Sequence, residues 1–149
     1  MTAYHYRFEN VLVVRDQEKS EMELAFKESV RHFEDVATKL YDMLKKKEDV
    51  LASQHERMTI GFSVNDIHHF SRFISGLEKS IADLQQKVVQ ARSKMNWHEE
   101  KLVEKTLEVR KYEKMKEKDL NAYKTEQERI EMNQLDELSS LKYRTKEIR

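Results

Sequence analysis

The sequence predicts an all-α fold in which two long helices form an antiparallel coiled-coil hairpin, with the second helix longer than the first. Three observations predict it: a seven-residue apolar repeat, an almost complete lack of helix breakers, and one glycine interruption at Gly61. A straight helix drifts against a seven-residue repeat, so a repeat kept in register over many turns indicates helices that supercoil around a partner. We therefore expect a rod and no globular core.

The repeat occupies the second half of the chain. Nine of its ten positions are apolar, and Lys116 is the exception; the apolar members are Ile67, Ile74, Ile81, Val88, Met95, Leu102, Val109, Tyr123 and Ile130. A second line three residues further on is less regular, with His98 and Lys105 interrupting it. His98 is expected to form a polar layer that helps to fix the register.

Composition restricts the function further. Proline and cysteine are absent, and 28 basic residues balance 28 acidic ones. The chain therefore shows no basic surplus for nucleic acid, no disulfide and no thiolate metal site. No apolar run is long enough for a signal core or a membrane span, so we expect a soluble intracellular protein that reaches a membrane only through partners.

The helix limits follow from stripes and caps. Apolar residues at steps of three and four predict helix 1 over about 5–59. Gly61 can adopt the left-handed conformation that ends a helix, and Ser63 can cap the next one by accepting the Asp66 amide. The sequence thus predicts a turn at about 60–63, helix 2 at about 64–145, and one coiled-coil domain over 1–149.

Antiparallel pairing around residue 61 makes facing positions sum to about 120–125. Phe8 is then expected near residue 115, and residues after about 118 have no partner within the chain. This overhang is either a frayed terminus or a docking segment that becomes ordered in a complex. Its periodic leucines and tyrosines favour docking for 118–141.

Candidate chemical sites are few. The six histidines lack the i,i+3 or i,i+4 spacing of a helical metal pair, and a two-helix rod has no cavity for paired acids. We therefore expect no enzyme activity, no cofactor and no metal site. Four aromatic residues gather near the turn, and shoulder-placed aromatics serve either as an interface hot spot or as a wider seam; they are Tyr41, Phe62, Phe70 and Phe73.

Three stretches resemble one known family. The opening Tyr6-Arg7-Phe8-Glu9-Asn10-Val11-Leu12, the turn Gly61-Phe62-Ser63-Val64 and the segment from Phe70 to Ile81 (FSRFISGLEKSI) are similar to the FliJ family of flagellar export proteins. Trp97-His98 followed by Glu-Lys-Leu is similar to that family's tryptophan-containing middle segment. The resemblance spans almost the whole chain.

The resemblance implies a non-catalytic component of the flagellar type III export apparatus, similar to the central stalk of rotary ATPases. Its implied partners are a hexameric export ATPase, an export-gate membrane protein and substrate chaperones. Its implied location is the cytoplasmic face of the membrane at the flagellar base, without direct membrane insertion, and the isolated chain is expected to be a monomer.

A division of labour along the rod follows as a hypothesis. The turn end is expected to bind the export gate through Tyr41, Phe70, Phe73 and Leu77. The open end is expected to bind the ATPase through Phe8, Leu12, Tyr112, Leu120 and Tyr123. Two alternatives remain: a structural scaffold that self-associates through the exposed part of helix 2, and a co-chaperone that grips export substrates with its open apolar end.

Overall fold

Two α-helices make up most of the chain in a computed structural model that describes residues 3–148. Helix α1 is Glu9–Ile60, with 52 residues, and helix α2 is Val64–Ile148, with 85 residues. The two helices pack against each other, and no strand occurs within the described residues. The predicted fold class, a helical hairpin with a longer second helix, is confirmed.

The turn between the helices forms as its residues predict. Gly61 has φ +117°, a conformation that side chains with a Cβ rarely adopt, and its N–H donates to the Arg57 carbonyl at 3.1 Å. The Ser63 hydroxyl oxygen accepts the Asp66 N–H at 3.2 Å and so caps α2. These two devices end one helix and begin the next within three residues.

The helix limits differ from the prediction at both outer ends. Helix α1 begins at Glu9 instead of about residue 5, and α2 continues to Ile148 instead of ending at about 145. Residues 3–6 are non-helical, and the Glu9 N–H donates to the Tyr6 carbonyl at 3.2 Å, which closes a turn before the helix. The start of helix 1 is corrected accordingly; the reason lies in the aromatic contacts of residues 4–8 described below.

The chain divides into two compact units. The terminal unit combines Met1–Lys19 with Glu104–Arg149, and the turn unit is Ser20–Val103. That the whole chain acts as a single domain stays a prediction.

On α2, burial follows the predicted seam in each unit. In the turn unit the buried side chains are those of Ser29, Val36, Leu77, Ile81 and Ala91. In the terminal unit they are those of Tyr6 and Val109. The repeat positions Ile74, Val88, Met95 and Leu102 are half-buried. Both outer members of the repeat, Ile67 and Ile130, are exposed, so the seam weakens toward its two ends.

The two polar positions of the second seam line behave differently. His98 is half-buried and its Nδ1–H donates to the Lys94 carbonyl of its own helix at 2.8 Å. Lys105 forms ion pairs with Glu18 at 3.2 Å and Glu108 at 3.9 Å. A register role for His98 therefore stays a prediction, whereas Lys105 bonds α2 directly to α1.

Candidate partner-binding surfaces

Residues 4–8 of the terminal unit, called here the N-terminal strap, are non-helical over residues 4–6 and form a turn at residues 7 and 8. Tyr6 is 4% exposed and its hydroxyl donates to the Tyr112 carbonyl at 3.0 Å. The Tyr4 hydroxyl donates to Asp119 Oδ2 at 3.0 Å. Because extended chain advances more than 3 Å per residue and helix only 1.5 Å, a short strap reaches well along α2.

Aromatic rings join the strap to α2. The ring centroids of Tyr4 and Tyr123 lie 5.3 Å apart, those of Tyr6 and Phe8 5.9 Å, and those of Phe8 and Tyr112 6.3 Å. These separations fall in the range at which tilted and edge-on aromatic pairs attract. Three residues predicted to bind the ATPase are thus packed against the chain itself.

All five residues predicted for the ATPase side lie in the terminal unit and are half-buried: Phe8, Leu12, Tyr112, Leu120 and Tyr123. The ring contact of Phe8 with Tyr112, and the ion pair of Glu9 with Lys116 at 2.8 Å, agree with the predicted neighbourhood of residue 115. The expectation that residues after about 118 have no partner within the chain is wrong, because Asp119 and Tyr123 contact the strap.

The strap hydroxyls are held in their neutral form. Partial burial, followed by the hydrogen bond to the Asp119 carboxylate, raises the pKa of Tyr4 to about 12. Burial also raises the pKa of Tyr6. An ionised phenol could no longer donate these hydrogen bonds, so strap closure and the neutral hydroxyls depend on each other.

An ion-pair network follows the strap along the terminal unit. Arg15 Nη1 lies 3.1 Å from Glu18 Oε2, and Lys105 Nζ lies 3.2 Å from the same oxygen. Hydrogen bonds from Lys105 and Arg15 lower the pKa of the Glu18 carboxyl. Glu108 Oε2 completes the network at 3.8 Å from Arg15 Nε. Charged side chains therefore bridge α1 and α2 in this unit.

Beyond the strap contacts, α2 is exposed. Residues 128–147, called here the C-terminal overhang, are exposed at every position. Six large apolar side chains lie on it, among them Leu135 and Leu141, each 59% exposed; the others are Ile130, Met132, Leu138 and Tyr143. Exposed leucines repeated along one helix are typical of a surface that another helix covers.

The turn unit carries an aromatic groove. A cavity of about 340 Å³ is lined by Val50, His69, Phe70 and Phe73. Phe73 is 47% exposed, and Lys46 Nζ lies 5.7 Å from its ring centroid. A half-exposed aromatic ring beside a groove, with a cation on its face, has the character of an interface hot spot.

Phe70 lies deeper in the same groove. Its ring packs edge-on against Phe62 with centroids 5.2 Å apart, and the Arg57 guanidinium carbon lies 5.9 Å from its centroid. Phe70 is half-buried, so it supports the groove floor while Phe73 forms the accessible wall.

The other two residues predicted for the gate side are placed differently. Leu77 is 6% exposed, so it belongs to the hairpin core and is not available as a contact residue. Tyr41 is 64% exposed but does not line the groove. A Cβ added at the neighbouring Gly76 would meet nothing within 4 Å, so no close approach within the chain requires that glycine.

Sequence reasoning missed four residues of these surfaces. Tyr6 was missed because the predicted helix 1 covered it, and Tyr4 was missed because it lies just before the predicted start, although the alternation Tyr4-His5-Tyr6-Arg7-Phe8 is typical of extended chain. Val50 and His69 of the groove carry no signal of their own in the sequence. Within residues 3–148, no three His, Cys, Asp or Glu side chains form a group that could hold a metal ion.

The described helices include none that is long and apolar enough to cross a membrane. What the fold and its surfaces define is a two-helix coiled-coil hairpin with exposed apolar and aromatic side chains. Comparison with known proteins narrows this class. A family model described as "Flagellar FliJ protein" matches residues 4–147.

A curated relative agrees with the family match. The chain is 36% identical over 137 residues to the Flagellar FliJ protein of Bacillus subtilis (strain 168), covering 92% of this chain and 93% of that protein. No solved structure matches the chain. The chain belongs to the FliJ family, as its resemblance predicted. Membership implies a role in flagellar protein export.

Proposed function

We propose that the chain is a stalk that links the hexameric export ATPase to the export gate and assists substrate chaperones, at the cytoplasmic face of the membrane. The observation that supports this most is the presence of two chemically different exposed surfaces on one hairpin. The turn unit carries the aromatic groove, and the terminal unit carries the C-terminal overhang. A protein that couples two partners needs one face for each.

The groove is proposed as the gate-binding face. Phe73 supplies a large apolar contact whose exposed half can be buried by a partner, and the ring already holds the Lys46 ammonium. Buried aromatic anchors typically supply most of the energy of a protein interface. Tyr41 remains proposed as a separate exposed contact, while Leu77 is removed from the set because it is buried.

The terminal unit is proposed as the ATPase-binding face. Phe8, Leu12, Tyr112, Leu120 and Tyr123 are half-buried, so a partner could cover their remaining surface. The overhang continues this surface with side chains that are exposed at every position. The uninterrupted helix α2 carries residues of both proposed faces, which allows a force on one to be transmitted to the other.

Two variants test the division. Truncation after Gln127 removes the overhang but keeps the strap contacts; it is expected to weaken ATPase binding strongly and to leave binding to the cytoplasmic part of the gate protein unchanged. Phe73→Ala is expected to do the reverse, with loss of flagellar subunit secretion and unchanged helix content. Val89→Ala, at another exposed apolar position of α2, is the matched control.

Pull-down with each purified partner, circular dichroism and a motility assay read the result. Equal loss of both interactions in either variant would contradict the division, and unchanged secretion in the Phe73 variant would remove the groove from the gate-binding face.

A further inference from the structure

The C-terminal overhang has a divided charge. Its first ten residues, 128–137, contain four acidic residues and one arginine. Its last ten, 138–147, contain three basic residues and one glutamate. All of these positions are exposed. Two copies of the overhang placed antiparallel are therefore complementary in charge, since the acidic half of each copy would face the basic half of the other.

An apolar stripe runs through both halves. Ile130, Gln134, Leu138, Leu141 and Thr145 are separated by steps of four, four, three and four residues. At about 100° per residue these steps place all five on one helix face. Leu138 and Leu141, at its centre, are 58% and 59% exposed. The stripe is polar at two positions, which is typical of a weak and reversible contact.

We propose that two copies of this chain pair through their C-terminal overhangs, antiparallel, with the acidic half of each against the basic half of the other. A parallel arrangement would place acidic against acidic and basic against basic, which is unfavourable. The proposal goes beyond the stalk function, and it rests only on the charge pattern and the exposure of the overhang.

The stripe fixes the register of the pair. Setting Leu138 of one copy opposite Leu141 of the other also sets Gln134 opposite Thr145, with the symmetry axis between Ser139 and Ser140. Glu137 and Arg144 lie on the same side of the stripe at about 100° per residue. In an antiparallel pair the same flanks of the two helices meet, so each Glu137 lies near the Arg144 of the other copy.

The pair is small. Two segments of 20 residues are about 30 Å long, and an interface of that length belongs to the weak, transient class. The chain is then a monomer when dilute and pairs when concentrated. Pairing also covers the overhang, so it excludes any other protein that binds there.

Analytical ultracentrifugation of the full chain, from a few micromolar to several hundred micromolar, measures the pairing. One variant reverses the acidic half (Glu131→Lys, Asp136→Lys, Glu137→Lys) and another reverses the basic half (Lys142→Glu, Arg144→Glu, Lys146→Glu). Each alone is expected to self-associate at least about tenfold more weakly, because attractive pairs become repulsive. An equimolar mixture of the two is expected to recover a dimer.

A matched triple reversal elsewhere on α2 (Lys111→Glu, Lys114→Glu, Lys118→Glu) changes as many exposed charges and is expected to leave pairing unchanged. Circular dichroism checks that every variant stays helical.

Spin labels test the orientation, and the absence of cysteine allows one label per chain. Labels at Ser139→Cys are expected within about 20 Å of each other, and labels at Lys124→Cys about 45 Å apart. A monomer at every concentration, a dimer unaffected by either overhang reversal, or close labels at position 124 would each overturn the proposal. The ATPase is absent from all of these measurements, so their outcome is independent of the stalk function.

Discussion

Aromatic side chains gather in both units, but the terminal unit relies on tyrosine and the turn unit on phenylalanine. The Tyr4 and Tyr6 hydroxyls donate to Asp119 and to the Tyr112 carbonyl, so their rings are fixed against α2. Phe70 and Phe73 lack such a donor, and the contacts recorded at their rings are with Phe62 and two cations. The difference teaches that hydroxyl hydrogen bonds fix the rings of Tyr4 and Tyr6 against α2, whereas the Phe73 ring has no such bond and stays half-exposed.

Removing one aromatic ring from each unit is expected to give the largest difference in the free energy of unfolding. Tyr6→Ala is expected to lower the free energy of unfolding by about 3 kcal/mol, because a buried ring and its hydrogen bond are both lost. Phe73→Ala is expected to cost less than about 1 kcal/mol, since nearly half of that ring is already exposed. Urea unfolding followed by circular dichroism measures both.

Tyr6→Phe separates the ring from the hydroxyl and is expected to cost about 1 kcal/mol. Equal decreases in the free energy of unfolding for Tyr6→Ala and Phe73→Ala would contradict the distinction between the N-terminal strap and the aromatic groove.

The two glycines of the turn unit provide the next test, since Gly61 lies in the turn with a positive φ whereas Gly76 lies inside helix α2. Gly61→Ala is expected to destabilise the protein by about 1–3 kcal/mol, because a Cβ is strained at φ +117°. Gly76→Ala is expected to stabilise it by up to about 1 kcal/mol, because alanine favours a helix interior and meets open space there. Thermal unfolding of the two variants shows directly whether each substitution stabilises or destabilises the protein. A destabilising Gly76→Ala would indicate that the helix requires this glycine.

The smallest expected effect is a loss of stability at alkaline pH that arises in the terminal unit. The pKa of Tyr4 is raised to about 12 in the folded chain, so its contribution to stability is present below about pH 10, the ordinary pKa of a tyrosine, and is lost as pH rises through about 12. Tyrosinate absorbance is expected to show a late-titrating fraction that decreases in Tyr4→Phe. Tyr143→Phe, which removes the hydroxyl group of an exposed tyrosine, is the control. An unchanged late fraction in Tyr4→Phe would contradict the hydrogen bond to Asp119.

Much of the fold was predictable because its causes are local or periodic. Ile81 and Val109 are buried as the seven-residue repeat predicts, and Gly61 and Ser63 end and begin helices through their own backbone and hydroxyl chemistry. The strap was not predicted, because three alternating aromatics form a short signal next to a long helical stripe. Its position against α2 depends on hydrogen-bond acceptors more than a hundred positions away in the chain.

The groove shows a second limit of sequence reasoning. Phe73 was placed on the shoulder of the seam from its spacing, and the structure leaves it half-exposed. Leu77 was assigned both to the seam and to a binding surface, and packing allows only the first. Val50 was missed because its place in the groove depends on which residue of α1 lies beside Phe70, and that pairing is a property of the two helices together.

The hydrogen bond between Tyr4 and Asp119 joins residues 115 positions apart in the chain, whereas Glu18 and Lys105 are 87 positions apart and the helices meet at Gly61 with hardly any separation. The entropy lost on closing a loop grows with its length, so zipping outward from the turn forms the strap last and fraying releases it first. During translation, Tyr4 must wait for 115 further residues before the carboxylate that accepts its hydrogen bond has been synthesised.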